Sequence, residues 1–412
     1  MGLLRDRAFA RTFGLGPELD AYNAALVLPE LVLSILVVSG LVAAFVPIYS
    51  GLTTEDDEAA HAFGRVILTV ATLVMTVAVG VLFVVAPATA ELVVPGFDPA
   101  ERELYVSLFR LMCVTAVIFA ASFTVGEILV GKQRYLAYAT APILYNAGIV
   151  GGTLLLGDAY GIYGAAIGTV VGALLHLAIR FVDVARAGFR TAVSFAIRIP
   201  AFGEYIRLAI PKMVSQPIEP LTFLYFTRVA SEFAPGSVSA VSFARNFASV
   251  PVVVIGVQFA IAAFPILSRA AAAGDRGRFT SVLGSSGLSI ATLTTLAAIV
   301  LYLVAGPAIE VLLGGGEFDA DDVAITTLLL GAFAMSIPLE SLTQLFARAI
   351  YATKNTILPV IASVAGLAVT VVAVAALTDG LGVVALPAGY AIGMAAKLAL
   401  LTLALPSRIR TI

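Results

Sequence analysis

Apolar runs long enough to cross a bilayer follow one another, with short breaks, from Ala24 to Leu405. A crossing helix needs roughly 17–25 mostly apolar residues, and the runs predict spans at 23–49, 65–87, 104–130, 135–157, 161–184, 203–230, 237–267, 280–304, 322–350, 356–378 and 383–405. The runs are continuously apolar, whereas barrel strands alternate over about ten residues, so helices are expected. Charged residues are 12% of the chain and apolar ones 60%, against roughly 25% and 45–50% in soluble domains. Lipid is therefore the solvent for most of this sequence. The expected fold is an all-α polytopic membrane protein.

Several function classes fall away on composition and motif. The longest polar connections, Gly51 to Gly64 and Arg186 to Tyr205, are too short to bury a core, so no soluble domain is expected. The single cysteine, Cys113, sits inside an expected span, which leaves no disulfide framework or metal cluster. A net charge of −2 argues against nucleic acid as a partner. Gly314 to Gly316 adjoin an acidic loop that would repel a phosphate, and no nucleotide-binding loop or catalytic signature is present. The expectation is a protein that is not an enzyme and holds no cofactor. Uphill work would then be coupled to a membrane potential, a monovalent ion or another protein.

Basic residues set the orientation. Connections holding Arg65; Lys132 and Arg134; Arg186, Arg190 and Arg198; Arg269, Arg276 and Arg278; Lys354; and Arg408 and Arg410 alternate with connections nearly free of Lys and Arg. The second set is acidic, with Glu91, Asp98, Glu101 and Glu103, then Asp158, then Glu317, Asp319, Asp321 and Asp322, then Asp379. The basic set should be cytoplasmic, with both termini on that side. The run from Glu55 to Glu58 reads as a solvated loop.

An internal repeat organises the spans. Gly161, Gly168 and Gly172 recur as Gly382, Gly389 and Gly393 at an offset of 221 residues. Ala44-Phe45-Val-Pro47 is echoed by Ala263-Phe264-Pro265, and Lys132 by Lys354, at offsets of 218 and 222. Two halves with an even number of spans share an orientation and are related by an axis along the membrane normal, with a substrate site expected between them near the midplane. The halves are expected at 1–200 and 201–412, as two parallel six-helix lobes with about twelve transmembrane segments in all. Carried back by the repeat, the helix at 203–230 has only Met1 to Gly14 as its counterpart, so the first helix is expected to be truncated.

Ionised side chains inside a bilayer cost roughly 2.5–3.5 kcal/mol on insertion scales, so those present should face a partner or a wet cavity. Lys212, Gln216 and Glu219 share a face of 203–230, a helix that Pro211, Pro217 and Pro220 should kink. Ser239, Ser242, Arg245 or Asn246, and Ser249 form a second stripe; Ser336, Glu340 and Gln344 form a third. Glu30 with Ser34, the lone Glu127, and Arg5, Asp6, Arg7 and Arg11 complete the set. The plain reading has the serines bonding neighbouring helices and Arg7, Arg11 and Arg207 snorkelling to the interface. Arg5, Asp6, Glu219 and Arg245 are the functional candidates, because charge at depth has no cheap use. His176, matched by Lys397 in the repeat, is expected at the interface.

Gly2-Leu-Leu-Arg5-Asp6, Phe13-Gly14-Leu-Gly16, Asp20-Ala21, Leu28-Pro29 and Ala44-Phe45-Val-Pro47 resemble, at these spacings, the opening of the MurJ (MviN) family, the lipid II flippases of bacterial peptidoglycan synthesis within the MOP exporter superfamily. Ser215-Gln216, Gly236-Ser-Val-Ser239, Phe243-Ala-Arg245 with Pro251, Phe264-Pro265-Ile-Leu-Ser268 and Tyr351-Ala-Thr-Lys354 look like its later landmarks. The resemblance implies a MATE-like two-lobed fold in the bacterial cytoplasmic membrane, with a central cationic cavity that takes a lipid-linked oligosaccharide diphosphate by alternating access. It also implies membrane lipids and cell-wall synthesis proteins as partners. Arg5, Asp6 and Asp20 fit family positions. With Arg245, Asn246, Gln216 and Glu219 they make the expected substrate-binding set.

Three departures accompany the match. Leu33 and Val38 stand where the family usually has a cavity arginine and glutamate. Asn246 holds the usual arginine position, with Arg245 one step away, and the family's two further C-terminal helices have no counterpart after Arg410. A diphosphate needs fixed positive charge, for which a bidentate guanidinium is the favoured donor, and Arg5 and Arg245 could supply it. Two other readings are an ion-coupled MATE-like exporter with a cavity lined by Glu30, Glu219 and Glu340, and a non-transporting membrane scaffold.

Overall fold

Helix follows helix through the residues that the computed structural model describes, 1–215 and 218–410. Among them the only extended pairing is an isolated bridge between Gly315 and Phe318. This is the answer that lipid imposes on a backbone, since each N–H and C=O must find its partner within its own segment.

The described residues divide into two compact units, Met1–Gly236 and Ser237–Ile412. The first holds α1 (Gly2–Phe13), α2 (Pro17–Leu33), α3 (Val46–Glu55), α4 (Asp57–Val84), α5 (Ala86–Val93), α6 (Pro99–Gly131), α7 (Tyr135–Tyr160), α8 (Ile162–Arg186), α9 (Pro200–Ser215) and α10 (Ile218–Ala230). The second holds α11 (Ser237–Pro251), α12 (Gln258–Ala272), α13 (Arg276–Leu312), α14 (Ala320–Ala334), α15 (Ile337–Ala352), α16 (Ile357–Leu381) and α17 (Ala385–Ile409). The packing boundary thus falls later than the repeat-based boundary of 200/201, because α9 packs on α4 and α10 packs on α2 and α5.

Eight described stretches are long and apolar enough to cross a membrane, or up to nine if α14 and α15, bent by 40°, make one span. One of the eight, Ile357–Ile409, runs 53 residues and contains both α16 and α17, so it holds two crossings. The expected span at 203–230 is the exception. It is described as two helices of 16 and 13 residues, each too short to cross alone. Between them, residues 216–217 lie outside the described residues, and with them Gln216 and the expected kink at Pro217.

Many acidic residues expected in loops cap helices instead. Asp98 and Glu101 form a capping box at the start of α6, and Asp319 accepts from the amides of Asp321 and Asp322 at α14. The run at 55–58 is likewise a helix start rather than a plain loop. Asp56 accepts from the Glu58 and Ala59 amides, Glu58 pairs with Arg65, and Asp57 meets Lys132 at 3.4 Å. Four orphan N–H groups at a helix start attract carboxylates whether or not the loop is solvated.

The repeat is written into local geometry. Gly161 (φ 55°, ψ −138°) ends α7 and Gly382 (φ 54°, ψ −137°) ends α16, a left-handed conformation that favours glycine. In the α7–α8 hairpin a Cβ on Gly168 would fall 2.6 Å from the Gly148 carbonyl oxygen. In the α16–α17 hairpin one on Gly393 would fall 2.6 Å from that of Gly366. Both hairpins therefore close backbone to backbone. Such contact replaces the hydrophobic drive that lipid removes. π-Helical turns repeat as well, at Ser34–Val38 and Val252–Val257. Val252 follows Ser34 by 218 residues, the offset between Pro47 and Pro265.

Gly168→Val is expected to cost about 1–3 kcal/mol by overpacking the α7–α8 contact. Its melting temperature in detergent should fall well below that of Gly151→Ala, which has open space at its Cβ. Equal melting of the two variants would refute the close-packed hairpin.

Candidate functional site

The expected site residues fall in both units, and each unit builds its own polar cluster. In the first unit α1 lies against α7 and α2. Arg5 donates from Nη2 (2.9 Å) and Nε (3.1 Å) to one oxygen of its neighbour, Asp6 Oδ1. Asp6 is buried, while the Arg5 side chain keeps 28% exposure. Tyr22, Glu30 and Tyr145 lie within electrostatic reach of the Arg5 guanidinium. Glu30 is exposed and Tyr145 half-buried. The Tyr22 hydroxyl shares a 2.6 Å hydrogen bond with Thr169 on α8, and its ring meets Phe9 edge-on at 5.1 Å. A cation with one local counter-ion, two phenols and a second carboxylate thus gathers on α1, α2 and α7.

Asp20 does a different job. It is buried, and its Oδ2 accepts from the Gly236 amide at 2.7 Å. Gly236 adopts φ 91°, and a Cβ there would meet Leu15. Asp20 therefore pins the segment that leaves α10 against the α1–α2 turn. Beside it lies a cleft shared with Asp98, Glu101, Ser231 and Phe233. Three carboxylates make that cleft unsuited to an anionic head group. Glu219 is exposed in the first turn of α10, and Lys212 is half-buried on α9.

In the second unit Arg245 is engaged by a carboxylate. Its Nη1 donates to Glu340 Oε2 at 2.8 Å and its Nη2 to Glu340 Oε1 at 2.7 Å. Tyr390 adds its hydroxyl at 3.4 Å and its ring face at 5.1 Å from the guanidinium carbon. The two side chains are 11% and 7% exposed. This is a fork-on-fork pair, the geometry that makes arginine rather than lysine suited to a buried anion. Asn246 is half-buried and turned about 100° around α11 from Arg245.

A third cluster escaped the sequence reading. Arg180, buried on α8, donates to the carbonyl oxygens of Ser122 (3.0 Å) and Tyr138 (3.4 Å). Its guanidinium lies 4.8 Å from the Tyr138 ring centroid and 5.8 Å from that of Phe123. Glu127 is in electrostatic reach, and Gly126 leaves the space, since a Cβ there would fall 2.6 Å from Arg180 Nη1. His176, expected at the interface, is buried one turn before Arg180, with Nδ1 2.7 Å from Ser122 Oγ. The i, i+4 spacing of His176 and Arg180 within one apolar run was the available signal.

Residues 9–412 match the family described as "Lipid II flippase MurJ". Among curated relatives, the probable lipid II flippase MurJ of Thermotoga maritima is 28% identical over 365 residues, covering 88% of this chain and 73% of its own. The lipid II flippase MurJ of Burkholderia cenocepacia is 24% identical over 382 residues, covering 90% and 73%. Among solved structures, a lipid II flippase MurJ in an inward closed conformation superposes with a TM-score of 0.83 at 22% identity, over 98% of this chain and 85% of that one. An inward-facing multidrug resistance MATE transporter of the MOP superfamily gives 0.84 at 16%, over 99% and 93%. The two structural matches share the MOP-type fold and do not separate flippase from exporter, whereas the sequence family does. This chain belongs to the lipid II flippase MurJ family.

Proposed function

We propose that this protein moves a lipid-linked peptidoglycan precursor of the lipid II kind across the bacterial cytoplasmic membrane by alternating access. The family match over residues 9–412 carries the reading. A lipid-linked oligosaccharide diphosphate crosses hydrocarbon only where its charge is compensated. In this reading Arg5 is the first donor, held by Asp6 and still partly exposed, with Tyr22 and Tyr145 as neighbouring hydroxyl donors. In the second unit Arg245 is the candidate donor, and an incoming diphosphate takes the place of the Glu340 carboxylate on its fork. Asn246 offers an amide on the adjacent face of α11 in the second unit, Glu219 is assigned to the path of the head group in the first, and Asp20 shapes the first unit through the 231–236 turn. The basic connections and both termini are assigned to the cytoplasmic side on the positive-inside bias. The driving force is assigned to the membrane potential or a monovalent ion, and cell-wall synthesis proteins are the natural consumers of the product.

Expression in a flippase-depleted bacterium should restore growth and outward movement of the precursor. Arg5→Ala should lower that movement about tenfold or more, the loss of one charged hydrogen-bonding group. Drug efflux without rescue would point to a MATE-like exporter, and neither activity to a scaffold; either result overturns the reading.

The buried pair makes its own prediction. Arg245→Gln and Glu340→Gln should each destabilise the protein by about 3–5 kcal/mol by leaving a buried charge unpaired, and the double variant should recover most of that loss. Chemical unfolding of the four proteins measures the coupling, and strict additivity would refute it.

A further inference from the structure

The connection between α8 and α9 is neither helix nor solvated coil. Its start is anchored, for Gly188 turns the chain at φ 82° and Phe189 is buried with its ring 5.2 Å from His61, edge-on. Gly64 makes room for that ring, since a Cβ there would lie 2.9 Å from Phe189 Cε2. Further on, the Ser194 amide donates to Thr69 Oγ1 at 2.9 Å. The segment therefore runs along α4 from His61 to Thr69, a rise of about 12 Å on that helix. Over this stretch α4 passes from its charged start, with Asp57, Glu58 and Arg65, into the apolar run that begins at Val66.

With the backbone held at Phe189 and Ser194, the residues on either side of Ser194 face outward. Val193 and Phe195 are 77% and 65% exposed, and Ile197, 52% exposed, sits in the turn that follows, where its amide donates to the Phe195 carbonyl at 2.8 Å. Arg186, Arg190 and Arg198 are exposed around them. No acidic residue occurs between Asp183 and Glu204, so the segment is uniformly basic. Three outward apolar prongs among arginines, at the polar-to-apolar boundary of a crossing helix, match the headgroup layer of a bilayer. There the prongs enter the acyl region, the guanidiniums reach phosphates, and irregular backbone can still be solvated.

We propose that residues 189–198 are an interfacial anchor that docks on anionic phospholipid headgroups of the leaflet facing the basic connections. The inference stands apart from the lipid II reading, because it concerns bulk lipid at the rim of the first unit. Charge complementarity selects the occupant, since an anionic leaflet satisfies the arginines while its acyl chains take the apolar prongs.

The chain contains no tryptophan, so Phe195→Trp in the full-length protein creates a single reporter. Reconstituted in phosphatidylcholine nanodiscs with and without phosphatidylglycerol, Trp fluorescence should be quenched by lipids brominated high on the acyl chain and shielded from aqueous acrylamide. Spin-labelled phosphatidylglycerol should quench it more strongly than spin-labelled phosphatidylcholine. Adding Arg190→Gln and Arg198→Gln should weaken that preference about fivefold for each arginine removed, and raised salt should weaken it too. Acrylamide access in bilayers, quenching without anionic preference, or shielding in native membranes without brominated-lipid quenching (a protein cover) would each overturn the proposal. Hydrogen exchange on the unmutated chain gives an independent reading. Amides from Arg190 to Phe195 should be more protected in anionic nanodiscs than in zwitterionic ones, and equal exchange would count against docking.

Discussion

A guanidinium buried in a helical bundle keeps its charge, so the protein must supply every acceptor that water would otherwise provide. Two arginines in this chain answer that demand differently, and Arg180 only in part, since its Nε has no hydrogen-bond partner among the described residues. Arg245 takes a whole carboxylate from Glu340 and the face of Tyr390. Arg180 takes two backbone carbonyls and two aromatic faces, with Glu127 nearby. Each solution fastens three helices at one point, α11, α15 and α17 for Arg245 and α6, α7 and α8 for Arg180. Arg5 is the contrast. Its adjacent counter-ion leaves a side chain that is only partly covered.

The two units solve the same packing problem with related parts. Each contains a hairpin closed by glycines and turned by a glycine of nearly identical backbone angles. Each also ties the second helix of its repeat, α2 or α11, to the second helix of that hairpin. In the first unit Tyr22 of α2 bonds Thr169 of α8. In the second Arg245 of α11 meets Tyr390 of α17, and Tyr390 follows Thr169 by 221 residues, the offset of the glycines. A neutral hydroxyl pair in one unit and a charged cluster in the other occupy corresponding places. Duplicated scaffolds can thus diverge in charge without moving their backbones, since close helix contact is set by small residues and not by the polar groups they surround.

That the fold matches both a flippase and a multidrug exporter is what site-level physics predicts. Fold and function separate when a scaffold hosts different charges on the same helices. In this chain Arg5 of α1 and Arg245 of α11 each sit beside a carboxylate, Asp6 and Glu340. A ligand that binds either of these two arginines competes with a resident anion.

Much of this could be read before any coordinates. Continuous apolar runs set the class, the helix positions and the membrane environment, because a backbone in lipid has few ways to satisfy itself. Recurrent glycines and prolines revealed the repeat, and the opening motifs revealed the family. Individual partnerships were less legible. Arg245 was visible as a buried charge and Glu340 as part of another stripe, yet 95 residues separate them and only packing joins them. Arg180 was missed and His176 placed at the interface for the same reason, and the bond from the Gly236 amide to Asp20 was likewise invisible. A one-dimensional pattern records which face of a helix is polar, while the partner that faces it is decided by how distant helices close on one another, and that is a property of the tertiary structure alone.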